Sequence, residues 1–249
     1  MTASLPLSGK RALVTGGARG IGAAIVRQLA ADGADVAITY EKSAEKAEAL
    51  AAEIRALGRK AVAVQADAGS VEGPKKAVEA AVSGLGGLDI LVNNAGIAGG
   101  SLFADQSLAD IDALINVNFR GVVLTTQAAL PHLGEGGRII SISSVLADRV
   151  PFPGVTLYSA TKSALQAFTL GLSRELGAQG ITVNLVKPGA TDTDMNPADG
   201  PNAPTMLSGI SLGRYGQPSD IASAVAFLAG PGAAYITGTS ILVDGGIGA

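Results

Sequence analysis

Tyr158 and Lys162 bracket the stretch Tyr158-Ser159-Ala160-Thr161-Lys162, a spacing that on a helix sets a phenol and an ammonium on one face, one turn apart. Such a pair can trade a proton with a bound ligand. A tyrosine hydroxyl of pKa about 10 must drop roughly 2–3 units, or ~3–4 kcal/mol, to do so readily near neutrality. An ammonium ~4 Å away supplies about 4 kcal/mol at an effective dielectric of 20 and only ~1 kcal/mol in bulk water, so the chemistry needs a site shielded from solvent. The small residues between the two leave a ligand room to approach. The same spacing also arises by chance on an amphipathic helix, so its meaning depends on the elements around it.

Those elements follow from the hydrophobic pattern. Short apolar runs alternate with longer segments of helical period, the rhythm of a parallel sheet covered by helices on both faces. The pattern predicts strands over residues 11–15, 35–40, 61–65, 88–92, 138–142, 181–186 and 240–243. Helices are predicted over 21–31, 44–57, 71–82, 156–176 and 219–229, with one long helix over 108–130 ended by Pro131. The fold class is α/β: residues 1–249 form a single domain, a doubly wound parallel sheet of about seven strands, with ligands at the carboxyl ends of the strands. Residues 190–216, rich in Pro, Gly, Asn and Asp, show no period and read either as a substrate-covering loop or as a surface connection.

Composition narrows the chemistry. A chain of 249 residues with 47% hydrophobic content and 34 glycines suits strands buried on both faces. It has no cysteine, which removes disulfides, thiolate nucleophiles and Cys-based zinc sites and accords with a cytoplasmic location. The single histidine, His132, follows Pro131 and reads as structural, so no metal cluster is expected. A net charge of −3 with scattered Lys and Arg gives no stripe for nucleic acid or an anionic membrane. Residues 1–9 lack an apolar signal core. Residues 221–243 are uncharged but broken by Gly230-Pro231-Gly232, and read as helix, turn and strand instead of a membrane span.

Directly after the first predicted strand comes Thr15-Gly16-Gly17-Ala18-Arg19-Gly20-Ile21-Gly22, leading into a helix. Glycines there let the chain turn sharply and let backbone N–H groups approach a pyrophosphate, whose charge is favoured at a helix N-terminus. The spacing is G-x-x-x-G-x-G and departs from G-x-G-x-x-G.

Taken with Asn93-Asn94-Ala95-Gly96, Ser144, Tyr158-x-x-x-Lys162 and Pro188-Gly189, this turn resembles that of the short-chain dehydrogenase/reductase family, of the 3-oxoacyl-carrier-protein-reductase type, and the resemblance covers nearly the whole chain. It implies an oxidoreductase that moves a hydride reversibly between NAD(P)H and a ketone or secondary alcohol. Tyr158 is then the general acid/base, and Lys162 lowers its pKa and holds the nicotinamide ribose. Ser144 binds the carbonyl oxygen. Ser143 rivals it, because Ser144 stands one residue farther from Tyr158 than in many relatives. Asn118 matches the helical asparagine that holds a water linking Lys162 to solvent.

Cofactor contacts are implied at Gly16, Ala18, Arg19, Gly20, Ile21 and Gly22 in the glycine turn, and at Tyr40, Lys42 and Ser43 after the second strand. Asp67 and Ala68, then Asn94, Ala95 and Gly96, follow the third and fourth strands, and Pro188, Gly189, Thr191 and Thr193 follow the sixth. Asp67 reads equally as an adenine contact or a helix cap, and Asn94 as a ribose contact or a brace for the sheet. Tyr40 occupies the place where NAD-using relatives carry an Asp, while Arg19, Lys42 and Ser43 offer donors for a 2′-phosphate, so NADPH is the expected cofactor. Glu41 argues the other way, for dual or NAD use.

Val145, Leu146, Val150, Phe152 and Pro153, with Met195, Met206 and Leu207, imply an apolar substrate pocket. The expected partner is a small carbonyl or alcohol, with a carrier-protein thioester as the alternative. A nucleotide-sensing protein without chemistry is the alternative of another class. Relatives form homotetramers, and the apolar segment 235–249 is the part expected to pack against a neighbouring subunit.

Overall fold

The computed structural model describes residues 5–249, so residues 1–4 of the opening stretch lie outside it. Seven runs extend as β1 (Arg11–Val14), β2 (Asp35–Tyr40), β3 (Ala61–Gln65), β4 (Ile90–Asn93), β5 (Arg138–Ile142), β6 (Thr182–Pro188) and β7 (Ser240–Val243). They pair in parallel as one sheet, β3-β2-β1-β4-β5-β6-β7. Between them lie α1 (Gly20–Ala31), α2 (Ala44–Ala56), α3 (Glu72–Leu85), α4 (Leu108–Ile115), α5 (Gly121–Ala129), α6 (Thr156–Leu176), α7 (Ala203–Gly209) and α8 (Pro218–Ala229).

The strand period of two divides the core. Val14, Ile38, Val92 and Ile140 pack with α1 residues Ile25 and Leu29 and α8 residues Val225 and Leu228. Leu13, Ala37, Leu91 and Ile139 pack on the other face with Val78 of α3, Ala129 of α5 and Leu172 of α6. Strand order reverses at β1, which pairs with β2 on one side and β4 on the other. A crevice therefore opens beyond the carboxyl ends of β1 and β4, where the glycine turn and the Asn93-Asn94 turn meet.

The long helix expected over residues 108–130 is broken. α4 and α5 are separated by a π-helical turn, Asn116–Arg120, and a 3₁₀ turn, Leu130–His132, follows α5. The extra residue in the π turn swings Asn118 inward, where its side-chain oxygen accepts from Ile97 N at 2.9 Å and its amide donates to Ile97 O at 2.9 Å. Gly121 follows because a Cβ there would collide with the carbonyl of Ala68. A long-range demand thus overrides helical period, as is common for π turns at functional sites.

Residues 190–216 are less irregular than their composition implied. They contain α7 and a small core of Ala203, Ile210 and Tyr215 that packs Met206, Leu207 and Ile247. Among the described residues no helix is long and apolar enough to cross a membrane, and no group of His and acidic side chains could hold a metal ion.

Candidate active site

Helix α6 carries Tyr158 and Lys162 on one face, as their spacing required, and rests on the sheet through Leu165, Leu172 and Leu176. Tyr158 is half-buried and Lys162 is only 5% exposed. The Lys162 ammonium sits 5.9 Å from the centroid of the Tyr158 ring and donates to Ile142 O at 2.9 Å. The two serines after β5 part company. Ser143 donates to the backbone carbonyl of Lys162 at 2.8 Å, pinning β5 to α6, whereas Ser144 accepts from Leu146 N at 3.1 Å and stands near enough to Tyr158 to lower its pKa.

Electrostatics here differ from the expectation that Lys162 depresses the phenol. Burial pushes the Tyr158 pKa above its ordinary value, and Ser144 pulls it only part of the way back. Burial also lowers Lys162 to about 8. The cause is desolvation of both groups, with the ammonium turned to a carbonyl and lying beside the ring.

Asn118 is fully buried and links the two halves of the cluster. Beyond its bonds to Ile97, its amide donates to Thr161 Oγ1 at 3.3 Å, and Thr161 donates to Tyr158 O at 2.7 Å. A Cβ on Gly96 would stand 3.3 Å from both Asn118 Oδ1 and Lys162 Nζ. The absence of a side chain at Gly96 keeps that approach open.

Opposite this cluster the glycine turn is held as a fixed cradle. Thr15 Oγ1 accepts from Asn94 N and Ala95 N at 3.0 Å each, and Asn94 Nδ2 donates to Thr15 O at 2.9 Å and Gly16 O at 3.1 Å. Asn94 is therefore a brace between β4 and the turn. Gly16 and Gly20 have φ of 62° and 52°, conformations that cost L side chains dearly. A Cβ at Gly22 would strike Gly16 O and the Asn94 amide, while one at Gly20 would fill the space 3.4 Å from the Thr193 methyl. Ala18 is buried and Ile21 half-buried at the start of α1.

Beyond β2, Lys42 pairs with Glu41 at 3.1 Å, both side chains exposed. Lys46, in the first turn of α2, and Arg19 approach one carboxylate, that of Asp194, at 3.8 and 3.6 Å. Tyr40 is half-buried at the end of β2, and Ser43 precedes α2 without capping it.

Asp67 neither caps α3 nor lies within it. Its carboxylate accepts from Gly69 N at 2.8 Å in a local turn, and Ser70 accepts from Gly73 N at 2.9 Å instead. Ala68 is half-buried beside it. Pro188 ends β6, Gly189 N donates to Val243 O, and Thr191 donates to Gly189 O at 3.1 Å. Of the apolar wall, Val145 is buried, but Val150 and Met195 are half exposed, and Met206 and Leu207 pack into the small core beneath α7. His132 is exposed on its 3₁₀ turn.

A family model described as enoyl-(acyl carrier protein) reductase matches residues 16–248. The chain is a short-chain dehydrogenase/reductase. It is 57% identical to a short-chain dehydrogenase from Burkholderia cenocepacia solved in complex with NADP, with TM-score 0.97 over 98% of this chain and 100% of that one. It is 52% identical to a blue fluorescent protein from a metagenomic library solved in complex with NADPH, with TM-score 0.97 over 98% and 100%. A curated relative, the 3-oxoacyl-(acyl-carrier-protein) reductase FabG of Staphylococcus aureus, is 44% identical over 241 residues, 96% of this chain and 98% of its own.

The groove of this short-chain dehydrogenase/reductase suits a dinucleotide by its own geometry. Gly20 and Gly96 leave open space that side chains would fill, and two cations, Arg19 and Lys46, converge on Asp194 at the groove's rim. Sequence reasoning missed Lys46, Asp194 and the brace of Thr15. Lys46 had a signal, a cation one turn into the helix after β2. Asp194 had none, since its partners are more than a hundred positions away.

Proposed function

We propose that this chain is a carbonyl reductase, reversible as a secondary-alcohol dehydrogenase, that prefers NADPH and uses Tyr158 as general acid. The observation that carries the reading is Tyr158 and the buried Lys162 on one face of α6, 5.9 Å from ring centroid to ammonium, with Ser144 beside them, facing a glycine cradle across the switch point. A nicotinamide dinucleotide held in the groove supplies the hydride.

The phenol of Tyr158 donates its proton to the carbonyl oxygen while Ser144 donates a hydrogen bond to the same atom, stabilising the charge that grows there. With its pKa raised by burial, the phenol is protonated before reaction, as a general acid must be. Lys162, with its pKa near 8, can hand a proton on toward Tyr158, and Asn118, which faces Gly96 together with Lys162 Nζ, would hold the water that links Lys162 to solvent. Gly16, Ala18, Gly20, Ile21 and Gly22 hold the pyrophosphate side, Asn94, Ala95, Gly96 and Lys162 the nicotinamide ribose, and Pro188, Gly189, Thr191 and Thr193 the carboxamide side. Asp67 and Ala68 hold the adenine. Arg19, Lys42 and Lys46, with Tyr40 and Ser43, provide the edge for a 2′-phosphate, which would take the place of the Asp194 carboxylate on Arg19 and Lys46.

Tyr158→Phe tests the reading: turnover of a panel of ketones should fall at least a hundredfold while NADPH affinity stays within twofold. A Tyr158→Phe enzyme of full activity overturns it. The second reading, reduction of a carrier-protein thioester, is favoured by the relative named for that reaction and is separated by adding a 3-oxoacyl carrier protein to the panel. We further propose a cytoplasmic homotetramer, with exposed Phe227, Tyr235 and Leu242 on its contact faces; sedimentation at micromolar concentration tests the assembly.

A further inference from the structure

We propose that Lys187 is a positioning residue for the proton-transfer site, acting through Asp148 to hold Ser144 against Tyr158; this rests on the roles given to those two residues above. Lys187 lies in β6 and is 2% exposed. Its ammonium donates to both oxygens of Asp148 at 2.8 Å and to Gln166 Oε1 at 2.7 Å, so all three protons are engaged. An ammonium in a strand interior is unfavourable unless fully partnered, and an apolar residue would serve packing alone as well. Its presence therefore calls for a purpose beyond burial.

The partners sit on separate elements that meet at the site. Gln166 is one turn beyond Lys162 and two beyond Tyr158 on α6. Asp148 closes the 3₁₀ turn Val145–Ala147, whose N-cap is Ser144. That turn is a bonded unit: Ser144 Oγ accepts from Leu146 N at 3.1 Å, Ala147 N donates to Ser144 O at 3.0 Å, and Asp148 N to Val145 O at 3.1 Å. A shift of Asp148 is passed to Ser144 within four residues. On the other side Ser143 ties the same segment to Lys162 O at 2.8 Å. Lys187 supplies the second tie, and with both in place the serine cannot pivot away from the phenol.

The test is a set of variants, Lys187→Met, Asp148→Ala, Ser144→Ala, and Lys187→Met combined with Ser144→Ala. Each is assayed for kcat and KM with the best ketone of a panel and for NADPH binding by its fluorescence. Lys187→Met and Asp148→Ala should each lower kcat about tenfold, since misplacement of a catalytic group by an ångström costs up to ~100-fold. NADPH affinity should stay within twofold. In the Ser144→Ala background Lys187→Met should add no further loss, because the tie then has nothing to position. Losses that multiply in the double variant, or unchanged kcat in both Lys187→Met and Asp148→Ala, overturn the proposal while leaving Ser144 and Tyr158 in their roles. Full activity in Ser144→Ala overturns the serine's role and this proposal with it. Asp148→Asn, at a side chain 44% exposed, leaves Lys187 an acceptor; it should show a smaller loss of kcat in the same direction and keeps the test decisive if Lys187→Met or Asp148→Ala does not fold.

Discussion

Replacing Lys162 with methionine should stabilise the cofactor-free protein while abolishing its activity. Burial holds the Lys162 pKa at about 8 against an ordinary 10.5. That difference, ~2.5 units at about 1.36 kcal/mol each, means the folded chain carries roughly 3 kcal/mol of penalty for the charged ammonium at neutral pH. Methionine removes the charge and fills similar volume. It leaves Ile142 O without its donor, which costs about 1 kcal/mol, for a net gain of ~2 kcal/mol, or roughly 4–8 °C in melting temperature for a chain of this size.

The sign follows from the folded pKa lying below the unfolded one. Below pH 8 both states hold the proton and the folded state bears the whole penalty. Between about 8 and 10.5 the unfolded chain keeps a proton that the folded chain has released, so wild-type stability rises with pH across that window. The advantage of Lys162→Met should thus be largest near pH 7 and shrink toward pH 10.5. Denaturant unfolding of both proteins at the two pH values measures it. A variant no more stable than wild type at pH 7, or a gap that does not narrow with pH, refutes the reasoning. The expected outcome is the usual tension in which an active site keeps a group that the fold would do better without.

Other consequences are quickly checked. Arg19→Ala should weaken NADPH binding about tenfold and leave NADH binding unchanged, since NADH lacks the 2′-phosphate proposed to take Arg19 from Asp194; equal affinity for NADPH before and after removes the case for its preference. Lys46→Ala should act in the same direction. Gly22→Ala puts a methyl into Gly16 O and the Asn94 amide, so dinucleotide binding should be lost or the melting temperature should fall by several degrees; titration and calorimetry distinguish the two.

Much of this protein follows from its sequence alone. Period-two apolar runs set which strand residues face each core, and both Asp35–Tyr40 and Ser240–Val243 fall where the pattern put them. The glycine turn and the Tyr158–Lys162 spacing are local, and local geometry is what a sequence encodes most directly. The environment of those residues is another matter, because desolvation depends on everything packed around a group. Only the folded chain sets Lys162 against Ile142 O and raises the phenol it was expected to acidify. The same holds for choices between neighbours. Ser143 and Ser144 are alike as letters, and the sheet edge turns one toward α6 and the other toward Tyr158. Contacts across long separations, Lys187 to Asp148, Asn118 to Ile97 and Arg19 to Asp194, exist because the doubly wound sheet brings the strand ends to one crevice. Pattern specifies the elements, and their convergence decides what each side chain can do.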